Sequence, residues 1–515
     1  MKCNVTLHNA PFPSTGELLA LPVFSENGKT SPRIAELNTI TKGQLLERIK
    51  QEAFTGKRGQ LLAFDSDCGY TRIILVGMGK QEQFSFPLLE NTVADAVRHA
   101  NSVRATRLDV YLDPVWKQDY REIGRLFATA ANLANYSFVR YKSHEKTEGP
   151  SYLSELRICL EASLDTAQIR GELKEGIALG VLISEGMYLT RDLVNEPASA
   201  IYPETLAEQA YRIANNSKGT VSIKVLEASE CEQLGMGSYL AVGQGSDNPP
   251  KFIILHFARK KPKRMKRIAL IGKSVTFDTG GYQVKPGEYM NDMKIDMAGG
   301  AAVLGVFSIL SQWNEERFGA IAYDEVFGIL PACENMISGR AFRPGDVLTA
   351  MNGKTIEVKH TDAEGRLTLA DALAYASREL KCEYAIDIAT LTGAVMVALG
   401  NDIAGVFGND DAFTREFLSA AQLHGEEAWQ LPLSERYRDH IKGTIADLAN
   451  LGKKDRYGGA ITAALFLEEF VDEMKWIHVD IAGSCYTDDP PRGITGTGAT
   501  AWGVRTLLSV LTKTV

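Results

Sequence analysis

Short apolar runs alternate with amphipathic stretches along almost the whole chain, a pattern that favours a sheet flanked by helices. In the first third, Leu18 to Phe24, Gln60 to Phe64, Arg72 to Val76, Leu108 to Leu112 and Leu156 to Leu160 read as strands. Helical stretches lie near Thr41 to Phe54, Leu88 to Val103 and Asp119 to Leu133. A long helical stretch from Thr166 to Val194 follows, closed by Asn195-Glu196-Pro197, where proline ends the helix. Past it the alternation resumes with more glycine. Strands are expected at Val221 to Val225, Phe252 to Phe257, Ile268 to Ile271, Ala320 to Leu330, Tyr384 to Ile388 and Ile477 to Ile481. Helices are expected at Glu204 to Asn215, Ala298 to Leu310, Leu367 to Glu379, Phe413 to His424 and Ala460 to Phe470. The pattern predicts two α/β domains. A smaller one spans 1–165, a linking helix 166–194, and a larger one with a mostly parallel sheet between helices spans 195–515.

Composition narrows the function classes. With 515 residues, 45% hydrophobic and 23% charged, the chain can bury a sizeable core and is not intrinsically disordered. No window approaches the ~18 uninterrupted apolar residues of a membrane span, and Met1 to His8 lacks the layout of a signal peptide. The expected location is cytoplasmic, with no membrane partner. Seven scattered cysteines without a CxxC suggest reduced thiols rather than a disulfide framework or a thiolate zinc site. Eight dispersed histidines, with no HExxH, mean that any metal must be held mainly by other ligands. A net charge of -8 argues against a surface built for nucleic acid. One local exception crowds Arg259, Lys260, Lys261, Lys263, Arg264, Lys266 and Arg267 between two strands, where a solvated loop explains it and nucleic-acid contact is the alternative.

Three glycine-bordered segments of the second domain place ionisable residues where strands end, as ligand sites in open α/β sheets do. In Ile268 to Gly281 an apolar strand runs into Lys273, then Asp278, then a Gly-Gly turn, with Lys285-Pro286 beyond. Lys273 could equally be an exposed strand-end lysine and Asp278 a turn residue. In Asn291 to Ala302, Asp296 opens a small-residue helix that must pack closely; a favourable helix-end charge would also explain it. The third segment is His360-Thr361-Asp362-Ala363-Glu364-Gly365-Arg366-Leu367. If extended, it puts Asp362 and Glu364 on one face, as carboxylates gripping one cation would be. Gly365 would permit a sharp turn, and Arg366 is a charged fork suited to an anion. Together these residues offer a lysine and four carboxylates to two divalent cations, with Lys285 and Arg366 beside them.

His360 to Leu367 resembles the Asn-Thr-Asp-Ala-Glu-Gly-Arg-Leu signature of the cytosolic leucyl aminopeptidases, the two-metal cytosol aminopeptidase family, at seven of eight positions. Arg191 to Asn195, Gly272 to Pro286, Met293 to Met297, Asp387 to Ala394 and Asp480 to Gly483 resemble the family's other blocks in order. The resemblance covers about Arg191 to Leu508. It implies a metallo-aminopeptidase that releases N-terminal, preferably apolar, residues from peptides with a free N-terminus, by attack of a hydroxide bridging two zinc or manganese ions. It assigns the metal ligands to Lys273, Asp278, Asp296, Asp362 and Glu364, and the catalytic roles to Lys285 and Arg366, with bicarbonate at Arg366. It further implies a homohexamer. Met293, His360, Thr390, Leu391, Gly393, Ala482 and Cys485 are the expected pocket for the first residue. Two departures bear on side-chain preference: His360 stands where the family usually has asparagine, and Cys485 lies in the pocket segment. His360 is not expected to be a ligand itself, and it could serve as an outer partner to a metal-bound carboxylate. The alternative function is DNA binding through residues 259–267, beside or instead of peptidase activity.

Overall fold

The computed structural model describes residues 2–512 except 26–30, 68, 114–115, 117–118, 144–150, 261, 263 and 454–456. Cys68, Lys261 and Lys263 therefore lie outside the described residues. Two compact units emerge. The first comprises Met1–Ser184 with Asp489–Thr497, and the second Glu185–Asp488 with Gly498–Val515. The long helix is Ala167–Asn195, ending two residues before Pro197. Residues 489–497 group with the first unit through contacts that local pattern does not encode.

In the first unit six strands form one sheet in the order Asn4–Asn9, Glu155–Leu160, Arg107–Tyr111, Gly16–Phe24, Tyr70–Gly79, Leu61–Asp65. All neighbours are parallel except the last pair. Buried on both faces, Ile73 to Val76 forms the unbroken apolar run expected of a parallel strand. The helix Phe86–Ser102 starts where Ser85 accepts from the Leu88 N–H, with proline in its first turn, and Tyr120–Ala134 starts where Asp119 accepts from Glu122. The strand Asn4–Asn9 and the helix Pro32–Ile40 escaped the periodicity, the strand because Val5 alone of its residues is buried.

The second unit carries the larger sheet. Its order is Ala428–Gln430, Ala404–Gly408, Lys475–Asp480, Tyr384–Ala389, Arg267–Gly272, Glu325–Asn335, Lys251–Ala258, Val221–Glu227. The central strands from Lys475–Asp480 to Glu325–Asn335 are parallel, and antiparallel pairs appear only toward the edges. The chain therefore delivers the carboxyl ends of several central strands to one side of the sheet.

Two local readings change. The strand expected at Ala320 to Leu330 runs instead over Glu325–Asn335. Ile321 and Tyr323 are buried without joining the ladder, and Asp324 accepts backbone N–H groups of Arg264 and Lys266. The real strand continues past Pro331 because it changes parallel partner there: Arg267–Gly272 pairs as far as Ile329, and Ser274–Asp278 from Ala332 onward. A residue without an N–H is tolerated in that gap. The basic stretch also has an internal explanation. Arg259 pairs with Glu315 at 2.7 Å, Arg267 pairs with Glu325, and the Lys266 ammonium sits over Tyr323 and Tyr384 at 4.5 and 4.2 Å. No helix among the described residues is long and apolar enough to cross a membrane. The described cysteines are free and buried.

The helix Ala298–Leu310 lies unusually close to the sheet. A methyl group on Gly299 would sit 2.0 Å from the Ile388 carbonyl oxygen, and one on Gly300 2.1 Å from Ser274 Oγ. Gly299→Ala is expected to destabilise the protein at or beyond the upper end of the roughly 1–3 kcal/mol that overpacking costs, because the obstacle is backbone. Urea unfolding followed by circular dichroism measures this; an unchanged midpoint contradicts the close approach.

Candidate metal centre

The chain changes strand partner at Lys273. Arg267–Gly272 ends, Ser274–Asp278 begins, and the lysine between them is held by its own backbone: its N–H donates to Ile388 O at 3.0 Å and its carbonyl accepts from Gly300 at 2.8 Å. The side chain is thereby sent into the protein, 3% exposed. Its Nζ lies 2.7 Å from Asp296 Oδ1 and 2.9 Å from Glu364 Oε1, and donates to the Thr390 carbonyl at 3.0 Å. Asp278 closes the following strand, and the turn after it needs glycine, since Gly280 and Gly281 both take positive φ. That turn returns Lys285 to the cluster, where its Nζ lies 2.8 Å from Asp278 Oδ2 and 2.5 Å from Asp362 Oδ1.

Asp362 and Glu364 do not sit on an extended segment. Residues 361–362 form a turn, and Glu364 is the helical N-cap of Gly365–Arg378. The turn still converges them: one carboxylate oxygen from each of Asp278, Asp362 and Glu364 lies within 4.8 Å of the others. Asp296 joins through Lys273, which it shares with Glu364. Gly365 is the first residue of the helix and has another role than turning: a methyl there would fall 2.7 Å from Lys273 Nζ.

Four carboxylates thus face two ammonium groups in a volume largely closed to water, and their proton affinities record the imbalance. Burial pushes Asp296 up to about 7 against the pull of Lys273, and burial with the Glu364 charge pushes Asp278 up to about 6. Burial also raises Asp362. Burial acts on Glu364 too, but Lys273 and Lys285 outweigh it and hold it near 2. Burial would lower both lysines, yet the carboxylates win and raise them. Arg366 is 5% exposed, its Nε has no hydrogen-bond partner, and burial draws it down to about 10, still charged at neutral pH.

These residues fit divalent cations. Asp296 Oδ2 and Glu364 Oε2 are buried without a hydrogen-bond partner, a cost that a cation would remove. An all-oxygen set with one amine suits a hard or borderline dication. Lysine can ligate only when neutral, so an incoming cation has to displace the Lys273 proton.

Other expected residues fall around this centre. Thr390 spends its hydroxyl on Asp296 Oδ1 at 2.8 Å and its carbonyl on Lys273. Leu391 and Ala482 donate backbone N–H groups to Asp480 Oδ1 at 3.0 and 3.3 Å, and Gly393 opens the helix Gly393–Leu399. Met293 begins a single 3₁₀ turn that ends at Asp296. Burial pushes the Cys485 thiol up to about 12, with Asp296 contributing, so it is a neutral neighbour of the cluster. His360 Nδ1 accepts from the Asp362 backbone N–H at 3.2 Å. Asn335, Asn450 and Asp480 also organise these loops. Asn335 and Asn450 are single amides with no local signature. Asp480 lies at the carboxyl end of the strand Lys475–Asp480.

Proton competition sets a test. Metal binding to the metal-free protein should weaken as pH falls from 8 through 7 to 6, as Asp296 and then Asp278 take up protons, and should release protons at neutral pH. Calorimetric titration with Mn²⁺ in buffers of different ionisation enthalpy measures both; pH-independent affinity without proton release contradicts this charge arrangement.

Comparison with known proteins agrees with the site. Residues 188–508 match the catalytic-domain model of the cytosol aminopeptidase family, and residues 20–145 match its N-terminal-domain model. Proteins named probable cytosol aminopeptidase from Gloeobacter violaceus and Gloeothece citriformis are 39% identical over 498 residues and 41% over 501, each alignment covering 96% of both chains. A solved tomato leucine aminopeptidase variant superposes with TM-score 0.86 at 36% identity, covering 99% of this chain and 97% of that one. A bottromycin maturation enzyme solved in complex with Mn superposes at 0.80 with 30% identity, over 96% and 99%. The chain therefore belongs to the cytosol aminopeptidase family and is a metal-dependent aminopeptidase.

Proposed function

We propose that this aminopeptidase acts in the leucyl manner, releasing single N-terminal residues, preferably apolar ones, from peptides with a free N-terminus. Two divalent cations, zinc or manganese, would be held by Lys273, Asp278, Asp296, Asp362 and Glu364. The observation that carries this reading is the largely buried four-carboxylate, two-lysine cluster with two unpartnered carboxylate oxygens. The manganese in the related bottromycin enzyme supports the metal class. When bound, the cations supply Lewis acidity at the scissile carbonyl and acidify water toward neutral pH.

The chain's own residues supply the rest. Lys285, anchored between Asp278 and Asp362 and 15% exposed at its side chain, is the one cluster lysine with access to an entering substrate. Its ammonium donates to the carbonyl oxygen as negative charge develops there. Arg366, with its Nε unspent, would hold a small anion, bicarbonate by family resemblance, which would supply proton transfer near the leaving amine. Met293, His360, Thr390, Leu391, Gly393, Ala482 and Cys485 form the pocket for the first side chain, and the neutral Cys485 favours apolar groups. A free α-amine would serve as a further ligand to the bound cations, which would direct cleavage to N-termini. A cytoplasmic homohexamer is the proposed setting. Within the basic run Arg259, Lys266 and Arg267 are engaged internally, and no observation among the described residues supports nucleic-acid binding.

Chelation should abolish hydrolysis of leucyl amide and added Mn²⁺ or Zn²⁺ should restore it, whereas N-acetyl-leucyl amide should not be cleaved; turnover surviving complete metal removal sinks the mechanism. Lys285→Ala should lower kcat about 10²- to 10³-fold, as loss of an oxyanion donor does, with metal content unchanged by elemental analysis. A kcat within a few-fold of wild type would assign Lys285 a structural role only.

A further inference from the structure

Asn335 is the last residue of the strand Glu325–Asn335, is fully buried, and stands opposite Asp278 in the parallel register. Its Nδ2 donates to Asp278 Oδ1 at 2.8 Å and to the Thr361 carbonyl at 3.0 Å. The Gly280 N–H donates to the same Asp278 oxygen at 2.8 Å. Two donors therefore occupy Oδ1 and leave Oδ2 as the oxygen that faces Lys285 and the cluster. The orientation of the amide is dictated by its neighbours, since turning it over would set its oxygen against a carboxylate and a carbonyl. Asn335 Oδ1 has no hydrogen-bond partner, so the donor side alone accounts for the amide at this position.

The same residue reaches both ligand loops. Its backbone carbonyl accepts from Thr279 N–H at 3.0 Å and Thr279 Oγ1 at 2.8 Å, fixing the turn that begins at Asp278. Thr361, gripped by the amide, precedes Asp362 and is itself bonded to the Asp278–Lys285 turn: Thr361 Oγ1 donates to Gly280 O at 2.6 Å, and Thr361 N–H donates to Gln283 Oε1 at 2.7 Å. Asp278 and Asp362 are far apart in sequence, and the Asn335 amide is a direct tie between their loops at the cluster.

We propose that Asn335 is a positioning residue of the metal centre, which selects the Asp278 oxygen offered to the cation and sets the spacing between Asp278 and the Asp362–Glu364 turn. The inference rests on the two-cation reading above. Partners of this kind orient metal ligands without touching the metal, and their loss typically weakens binding about 10- to 100-fold.

The test is calorimetric titration of metal-free protein with Mn²⁺ alone, for wild type, Asn335→Leu and Asn335→Asp, with thermal unfolding of each in chelator to fix the folded fraction. Leucine keeps the volume and removes the donor; aspartate keeps the shape and turns an acceptor toward Asp278. Both variants should bind Mn²⁺ about 10- to 100-fold more weakly per folded molecule, aspartate more so than leucine. Wild-type affinity in folded variants overturns the inference alone, as does a loss that merely follows the unfolded fraction. A wild type that takes up no cation overturns the two-cation reading and this inference with it.

Discussion

Four carboxylates withdrawn from water in one small volume would each cost several kcal/mol if left unanswered, and the second domain is arranged around answering them. Lys273 and Lys285 do so in pairs, each bridging two carboxylates contributed by different segments of the chain. The answer is incomplete. Two carboxylate oxygens stay unpartnered, and two aspartates keep proton affinities near neutrality. A site left with this residual demand for positive charge is suited to cations by its own electrostatics, which is how a chain with few histidines can offer a metal site without them.

Backbone proximity makes that arrangement possible. The cluster forms where a central strand breaks at Lys273, and the break is held by the Ile388 carbonyl and the Gly300 N–H. Those bonds require the helix Ala298–Leu310 to lie against the strands without side chains between, hence Gly299 and Gly300. Gly365 performs the same service on the opposite wall, where any side chain would meet the Lys273 amine. Glycine at these positions is an electrostatic requirement expressed as packing: it lets a buried lysine reach its two carboxylates.

Much of this was legible in the sequence, for physical reasons. Parallel strands buried on both faces announce themselves as apolar runs, so the central strands and their helices were recoverable, and charged residues directly after such runs marked the site. Asp362 and Glu364 converge through a turn where alternation in a strand was expected. Gly365 was noticed for a turn it does not make. The strand Glu325–Asn335 was misplaced because its change of partner at Pro331 is a tertiary event. Asn335 gave no signal, because an amide that organises two loops across the fold looks like any other strand-end asparagine. The grouping of residues 489–497 with the first unit was equally invisible to local pattern.

The central claim is that the cluster of Asp278, Asp296, Asp362 and Glu364 with Lys273 holds two divalent cations. Crystals grown with Mn²⁺ and measured at the manganese absorption edge test it most directly. The account predicts two anomalous peaks per chain, both within coordination distance of these carboxylates, with the Lys273 amine drawn off its ion pairs toward one of them. Absence of anomalous density at this cluster in a manganese-saturated crystal, or density only at other side chains, would contradict it.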